Sequence, residues 1–250
     1  MPWPPNRVLY PEGGYYRLDG EHVKTDVGDG SDTTLFMVPD ALIREHSKVI
    51  DSALSKVSPG TERRVRLPNI NPAHFNWYVE WLFSGRLWIF VQNRVPHNWE
   101  GHEVAESEEF ERWLLCLRLS SAVKDSDFRD ALVDGFIEWI SQLDRDYGWE
   151  YGVKVAWAVD AYAGSESPMR ELAADAAFRN WDTSDFTKLT ETRATPLWFC
   201  GLVLAKATAA RHFGNDRTKH PLPPKEITTT CEYHEHDNHG KICYKKRRPF

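Results

Sequence analysis

The sequence predicts an α+β fold, in which a few short strands near the start of the chain precede a long run of helices. Two strand-like runs, Glu21–Val27 and Leu35–Val38, flank an Asp29-Gly30 pair, which is a good hairpin signal between such runs. A third run, Arg64–Leu67, alternates charged and apolar residues, as an exposed or edge strand does. Beyond it, apolar residues recur mainly at helical spacing. These observations predict a small sheet flanked by helices.

Residues that start and stop helices divide the first third of the chain. Pro39 suits the first turn of a helix, because its missing N–H costs nothing there. Ser47 can cap a second short helix, and Asn71 followed by a proline marks the start of a third. Gly85 is predicted to end that third helix. The apolar positions that fall on one face of the third helix are Phe75, Tyr78, Val79, Leu82 and Phe83.

Helical patterns dominate the chain after a polar, acidic stretch. That stretch, at about residues 90–107, is predicted to be an inserted loop. Helices are then predicted over Glu108–Val123, after the capping residue Asp125, and over Pro196–His212. A further helix is predicted to start where Ser167 precedes a proline. The second half of the chain is therefore predicted to be helical almost to its C-terminal tail.

Composition and charge argue against several classes of function. The chain has 250 residues, a net charge of −6 and 41% hydrophobic residues, which is typical of a globular protein with a substantial core. The negative charge argues against nucleic-acid binding, since phosphate binding relies on clustered Lys and Arg. No apolar stretch approaches the roughly 20 residues that cross a bilayer, and the N-terminus lacks the pattern of a signal peptide. With four Cys residues, the protein is expected inside the cell, in the nucleus or the cytoplasm.

Motifs of catalysis are absent from the sequence. It contains no nucleophile elbow, no phosphate-binding loop and no dinucleotide-binding fingerprint. The stretch His102–Glu106 resembles a zinc-protease helix only in part, because Glu106 stands where the second His ligand is needed. The protein is therefore predicted not to be an enzyme.

The sharpest chemical signal is a cluster of Cys and His residues near the C-terminus. Two thiols and three imidazoles fall within a short stretch, and both are ligand types that zinc prefers. The candidate ligands are Cys231, His234, His236, His239 and Cys243. Their spacing is more compact than in usual structural zinc sites, which take ligand pairs from two separate turns. The segment is predicted either to bind zinc or to be a polar tail without metal, in which Cys231 contacts Cys243. No other cofactor is expected.

A basic run, Lys245–Arg248, follows the Cys/His cluster. From Asp216 onward, eight Lys or Arg residues stand against five Asp or Glu, so positive charge is concentrated in this tail. The run is either a nuclear-import signal or a solubilising terminus. Combined with zinc binding, it supports the hypothesis of a zinc-binding nuclear regulatory protein.

The order of three signals resembles that of the BTB/POZ domain, a protein-binding module. The signals are a strand at Leu35–Val38 leading into a helix at Pro39, the triplet Arg66-Leu67-Pro68, and the aromatic-rich run Phe75–Leu87. That run ends in an aromatic residue, a small polar residue, Gly and a basic residue, and this ending is similar to fungal members of the family. Two later segments are also similar to fungal members: Gly164–Arg170 and Cys231–Cys243.

The resemblance implies a domain organisation and a binding function. A BTB/POZ core would occupy residues 21–145, after an irregular lead-in at 1–20 and before a helical extension at 146–213 and a flexible Cys/His-rich basic tail at 214–250. Family members mediate homo- or hetero-oligomerisation, and some are substrate adaptors of cullin-type ubiquitin ligases. The expected partners are therefore proteins, such as a second copy of the chain or a cullin.

Two sequence features bear on the choice of partner. Val38 is followed by Pro39, whereas family members commonly have His at this point, so functions tied to that His are placed in doubt. Val104-Ala105-Glu106 matches the hydrophobic-x-acidic triplet of cullin adaptors, although such triplets arise by chance in acidic stretches.

Three Trp residues near Gly85 form a candidate interaction surface. Helical spacing places Trp77 and Trp81 together, offset from the main apolar face, and Trp88 follows the glycine. A second aromatic pair beside a core face indicates either a helix that is buried on all sides or an interface. Both alternatives remain open from the sequence.

Overall fold

A small sheet and many helices make up the part of the chain that the structure describes. The computed structural model describes residues 20–58, 60–87, 89, 99–142, 149–191, 195–213, 230–236 and 240–247. The strands in these ranges are β1 (His22–Val27), β2 (Thr34–Pro39) and β3 (Arg64–Leu67). The helices are α1 (Asp40–His46), α2 (Lys48–Leu54), α3 (Pro72–Ser84), α4 (Trp99–Val123), α5 (Ser126–Gln142), α6 (Trp149–Tyr162), α7 (Met169–Asn180), α8 (Thr183–Glu191), α9 (Leu197–Phe213) and α10 (Tyr244–Arg247). The predicted α+β class is confirmed, and no helix within the described ranges is long and apolar enough to cross a membrane.

The chain forms two compact units, each assembled from segments that are separated in sequence. The first unit comprises Met1–Trp88, Ala122–Phe128 and His236–Phe250, and the second comprises Ile89–Ser121 and Arg129–Glu235. The sequence predicts instead a continuous domain over residues 21–145 followed by a helical extension. The structure divides the chain differently, because the start of α5 and the end of the chain both belong to the first unit.

The sheet of the first unit has the strand order β2-β1-β3. β1 pairs antiparallel with β2, with His22 opposite Pro39, and pairs parallel with β3. The predicted hairpin is therefore confirmed, and β3 lies at an edge of the described sheet, as predicted. Gly28, directly after β1, has a φ of 98°, and a Cβ atom there would lie 2.6 Å from the carbonyl oxygen of Asp32. Only glycine fits this turn without strain.

One face of the sheet contributes to the core of the first unit. Alternate residues of β1, namely Val23, Thr25 and Val27, are fully buried on this face, as the period of two in a strand requires, and Val38 of β2 is buried beside Val23. Full burial of one such side chain stabilises a fold by roughly 1.5–3 kcal/mol. The fully buried apolar residues of the sheet, α1, α2 and α3 are Val23, Val27, Val38, Leu42, Ile43, Ile50, Phe75, Tyr78, Trp81 and Leu82.

The helix boundaries that the sequence predicts in this unit agree with the capping contacts. Ser47 Oγ accepts a hydrogen bond from the N–H of Ile50 at 3.2 Å and thereby caps α2. Asn71 Oδ1 accepts a hydrogen bond from the N–H of Ala73 at 2.8 Å at the start of α3. Gly85 ends α3 in the left-handed conformation, with a φ of 68°. Each cap satisfies backbone groups that a helix end leaves without helical partners, which explains why these boundaries are predictable.

The second unit contains a helix that is longer than the sequence predicts. α4 begins at Trp99, so the predicted loop at residues 90–107 is wrong over residues 99–107, and residues 90–98 lie outside the described residues. The stretch from Trp99 to Glu108 contains four Glu residues and one Ala, which have high helix propensity. The polar character of this stretch therefore does not argue against a helix.

Tryptophan residues contribute strongly to the core of the second unit. Trp113 stacks on Phe136 with ring centroids 4.7 Å apart, and Trp139 stacks on Phe110 at 5.4 Å. The indole N–H of Trp113 donates to the carbonyl oxygen of Leu132 at 2.9 Å, so burial leaves this donor satisfied. At these positions the high Trp content of the chain serves packing.

Two helical glycines of the second unit are expected to respond oppositely to substitution by alanine. A Cβ atom at Gly152 in α6 would lie 2.5 Å from the ring of Trp181, which is itself buried, whereas a Cβ atom at Gly201 in α9 would meet nothing within 4 Å. We expect Gly152→Ala to destabilise the protein by about 1–3 kcal/mol through overpacking. Gly201→Ala is expected to stabilise it by up to about 1 kcal/mol through helix propensity. Urea unfolding of both variants measures the difference, and equal effects would contradict the expected packing at Gly152.

Candidate metal centre

Four of the five predicted zinc ligands lie together in the structure. The ligand atoms of Cys231, His234, His236 and Cys243 are all within 4.8 Å of one another. Cys231 is half-buried, and the other three residues are at most 4% exposed. His239 lies outside the described residues. The sequence predicts the residue types of this cluster correctly, and the structure adds that four of them converge.

Two backbone hydrogen bonds, one to each side of the His234–His236 pair, hold the turns next to these histidines. Cys231 lies in a single turn of 3-10 helix, Thr230–Tyr233, and its carbonyl oxygen accepts a hydrogen bond from the N–H of His234 at 3.1 Å. The N–H of Lys241 donates to the carbonyl oxygen of His236 at 3.0 Å, and Gly240 before it has a φ of 62°. The left-handed conformation at Gly240 costs little because glycine lacks a Cβ atom.

A carboxylate orients one of the candidate ligands. His234 Nε2 lies 3.1 Å from Oδ1 of Asp134, which belongs to α5, and the His234 side chain is completely buried. The ring of His234 therefore directs Nε2 towards the carboxylate of Asp134. Metal-binding His residues commonly use their second nitrogen in this way, and the contact fixes both the tautomer and the ring orientation.

Glu235, between the two histidines, is held by several polar contacts within the second unit. Its carboxylate accepts two hydrogen bonds from Arg129, each 2.9 Å long, and one from the hydroxyl of Ser167 at 3.0 Å. Its backbone N–H donates to Asp130 at 2.7 Å. The sequence predicts a flexible tail over residues 214–250, and this prediction is wrong for the segment around Glu235. Buried, charge-assisted contacts fix that segment in place.

Tyr233 adds a further contact beside the cluster. Its hydroxyl donates to Asp175 Oδ2 at 3.0 Å, and the residue is only 7% exposed. Burial, together with the negative charge of Asp175, raises the pKa of Tyr233, so the phenol stays protonated and remains a donor at neutral pH. The first half of the Cys/His segment is therefore docked on the second unit through three consecutive residues, 233–235.

Arg247 docks α10 within the first unit. The guanidinium group lies 2.5 Å from Asp127 and 3.7 Å from Glu45, and Asp127 also lies 3.4 Å from His46. Burial alone would raise the pKa of Asp127, but hydrogen bonds from His46 and Arg247 outweigh burial and lower this pKa to about 2. Asp127 therefore stays ionised and pairs with Arg247 of the basic run, which the sequence predicts to be either a nuclear-import signal or a solubilising terminus.

A second group of possible metal ligands, formed by His46, Asp125 and Asp127, is better explained as a structural network. All three side chains are buried and their ligand atoms lie within 4.8 Å of one another. The guanidinium group of Arg247, however, already supplies a cation beside Asp127. The carboxylate oxygens of Asp125 accept hydrogen bonds from the start of α5 and from a tyrosine hydroxyl. These contacts favour a polar core over a metal site.

The three Trp residues of the predicted interaction surface do not share one environment. Trp81 has no exposed surface, and its ring lies 5.1 Å from that of Phe128 and 5.4 Å from that of His46. Trp77 is half-buried and stacks on the ring of a neighbouring His at 5.2 Å. Trp88 lies outside the described residues. Trp81 therefore belongs to the core and offers no surface to a partner, because α3 is covered on that side.

Comparison with known protein families gives no matching family model, and comparison with curated proteins gives no matching protein. The resemblance to BTB/POZ domains therefore stays a prediction. A function is therefore inferred from the described residues themselves.

Proposed function

We propose that this protein is a non-enzymatic protein-interaction module with a BTB/POZ-type core, and that it self-associates through β2. The order of elements in the first unit supports the proposal, since a hairpin, two short helices, a third strand and a capped helix follow one another as the resemblance implies. The thiols of Cys116 and Cys200 give no support to catalysis, because burial raises the pKa of Cys116 to about 12 and also raises that of Cys200.

The observation that carries the proposal is the apolar outer face of β2. Leu35 is 50% exposed and Met37 is 49% exposed, and β2 lies at an edge of the described sheet. Across β1, the partners of these residues on the same face are Asp26 and Lys24, so β2 presents the apolar part of an otherwise charged face. A solvent-facing sheet surface normally carries polar side chains.

The charged neighbours on this face are already engaged with each other. Asp26 accepts two hydrogen bonds from Arg64, at 2.5 and 2.8 Å, and Lys24 pairs with Glu62. Residues 34–39 of β2 include no charged side chain, so charge does not prevent β2 from pairing with another strand. Edge strands without charge tend to pair with other strands, and antiparallel pairing of β2 with β2 of a second copy brings the two apolar pairs together. A second copy is therefore the partner that the strand fits most simply.

Charge introduced on β2 is expected to separate the copies. We expect the double variant Leu35→Glu, Met37→Glu to raise the dissociation constant at least about 100-fold, because two apolar contacts are lost and two carboxylates would be buried. Sedimentation velocity over a range of concentrations measures the constant. The matched control is Leu197→Glu on α9, where the side chain is 89% exposed, and we expect it to leave association unchanged.

Two results would contradict the proposal. A wild-type chain that stays at its monomer mass of 28.9 kDa at all accessible concentrations would exclude self-association. An oligomer that persists equally in the double variant and in the control would place the interface elsewhere. Circular dichroism establishes that the double variant is folded before either result is interpreted.

A further inference from the structure

We propose that two copies of the chain pair through β2 in a single antiparallel register, with the two-fold axis beside Phe36. Leu35 of each copy then lies opposite Met37 of the other copy, and the two sheets join edge to edge. The inference rests on the proposed self-association through β2 and specifies which residues meet there. Because both copies use the same strand, the pairing closes after two copies.

The hydrogen bonds between β1 and β2 determine which backbone groups of β2 face the open edge. The N–H of Asp40 donates to the carbonyl oxygen of Glu21 at 2.8 Å at the end of this ladder. Hydrogen-bonded and non-hydrogen-bonded pairs alternate along an antiparallel ladder, so Phe36 is bonded to β1. Leu35 and Met37 therefore direct their N–H and C=O groups away from β1. The two residues with exposed apolar side chains also offer the backbone groups that a further strand needs.

Three registers match these backbone groups, and the side chains favour one of them. An axis beside Leu35 places Met37 opposite Thr33 of the other copy, which is polar. An axis beside Met37 places Leu35 opposite Pro39, whose side chain is already buried. An axis beside Phe36 instead places the exposed apolar side chains, which are 50% and 49% exposed, directly opposite each other. Directly opposed side chains contribute most to the stability of a strand pair.

Phe36 supports the same axis from the opposite face of β2. Its ring is half-buried and lies edge-on to the ring of Phe75, with centroids 5.0 Å apart. In the proposed register, Phe36 faces Phe36 of the other copy in a non-hydrogen-bonded pair, the closer of the two pair types. Cross-strand aromatic pairs stabilise strand pairing. Apolar side chains therefore meet on both faces of the sheet at the axis.

The charged part of the sheet favours edge-to-edge pairing over stacking of two sheet faces. Lys24 and Arg64 lie on the same face as Leu35 and Met37, and their side chains are 39% and 49% exposed. A second sheet stacked on this face would cover these charges, which is costly because they lose water. Pairing along the β2 edge leaves both side chains in solvent.

Cysteine cross-linking tests the register on the full chain. Leu35→Cys and Met37→Cys are prepared separately, mixed under reducing conditions and then oxidised. We expect a disulfide between position 35 of one copy and position 37 of the other, because bonded antiparallel pairs have Cα atoms about 5.5 Å apart, within the reach of a disulfide. Each variant oxidised alone is expected to give less than about one tenth of this yield, since identical positions lie diagonally, at roughly 7–8 Å or more.

Peptide mass spectrometry identifies the linked positions, and the oxidised wild-type chain is the control for the four native Cys residues. A cross-link that forms equally well in Leu35→Cys alone or in Met37→Cys alone would move the axis and overturn the proposed register. Sedimentation velocity of the reduced variants separates this result from a failure of self-association. A wild-type chain that never dimerises would instead overturn the proposed function itself.

Hydrogen exchange of the wild-type chain provides a second test that requires no variant. At concentrations where the chain dimerises, exchange of the N–H groups of Leu35 and Met37 is expected to slow at least about 10-fold relative to the monomer. The N–H of Phe36 is the internal control, since β1 already protects it in the monomer. Dimerisation without any change at Leu35 and Met37 would show that the β2 edges are not paired and would overturn the inference.

Discussion

Replacement of Trp81 by alanine is expected to destabilise the protein by about 3–5 kcal/mol, the largest effect that we predict for a single substitution. Its side chain is fully buried and contacts the rings of Tyr78, Phe128 and His46, so truncation removes a large apolar surface and leaves a cavity. A loss of this size is a large fraction of the total stability of most domains. Chemical denaturation followed by circular dichroism measures it.

Trp77 provides the matched control on the same helix. Its ring is half-buried and stacks mainly on His74, so Trp77→Ala is expected to cost less than about 1.5 kcal/mol. If the two variants lose equal stability, Trp81 is not the core residue described here. If Trp81→Ala instead weakens self-association while stability is unchanged, the residue acts as interface.

Asp125→Ala is expected to cost about 2–4 kcal/mol, because one buried side chain serves several partners. Asp125 Oδ1 accepts the N–H groups of Asp127 and Phe128 at 2.9 and 3.1 Å, which caps α5 as the sequence predicts. Oδ2 accepts the hydroxyl of Tyr78 at 2.9 Å. Loss of a cap costs about 0.5–2 kcal/mol, and each buried polar group left without its partner adds about 1–3 kcal/mol.

Asp182 is the control for this prediction, since it caps α8 in the same way at an exposed position. Its carboxylate accepts the N–H groups of Ser184 and Asp185 at 2.7 and 3.0 Å. Asp182→Ala is expected to cost about 0.5–1 kcal/mol, because water can replace the lost acceptor. Thermal unfolding of the two variants side by side measures the contrast. A double variant Tyr78→Phe, Asp125→Ala that loses no more than Asp125→Ala alone would support the shared contact.

Local features of the fold could be predicted from the sequence because their causes are local. The hairpin, the caps at Ser47, Asn71 and Asp125, and the glycine that ends α3 each depend on residues within a few positions of one another. The helix predicted to start after Ser167 begins at Met169, and the Ser167 hydroxyl accepts the N–H of Met169 at 3.4 Å. The short helix α8 is not singled out by the sequence, because only Phe186 and Leu189 of its nine residues are apolar.

The candidate metal centre could be predicted only in part. The types and spacing of Cys231, His234, His236 and Cys243 are visible in the sequence, but the orienting residue Asp134 lies 100 residues away from His234. Arg129 is similarly 106 residues from Glu235. A single sequence holds no local signal for such pairs, because their proximity arises from tertiary structure. For the same reason, composition alone predicts a flexible tail for the C-terminal segment.

The pairing of Arg247 with Asp127 has a consequence for folding during synthesis. Asp127 and the start of α5 leave the ribosome about 120 residues before α10, which at roughly 5–20 residues per second is a delay on the order of 10 s. During that interval a buried carboxylate lacks the guanidinium group that pairs with it in the finished chain. The first unit, which contains the N-terminal sheet, is therefore completed only when the C-terminal segment arrives. Although the sheet of the first unit is synthesised early, the unit can therefore finish folding only late in translation.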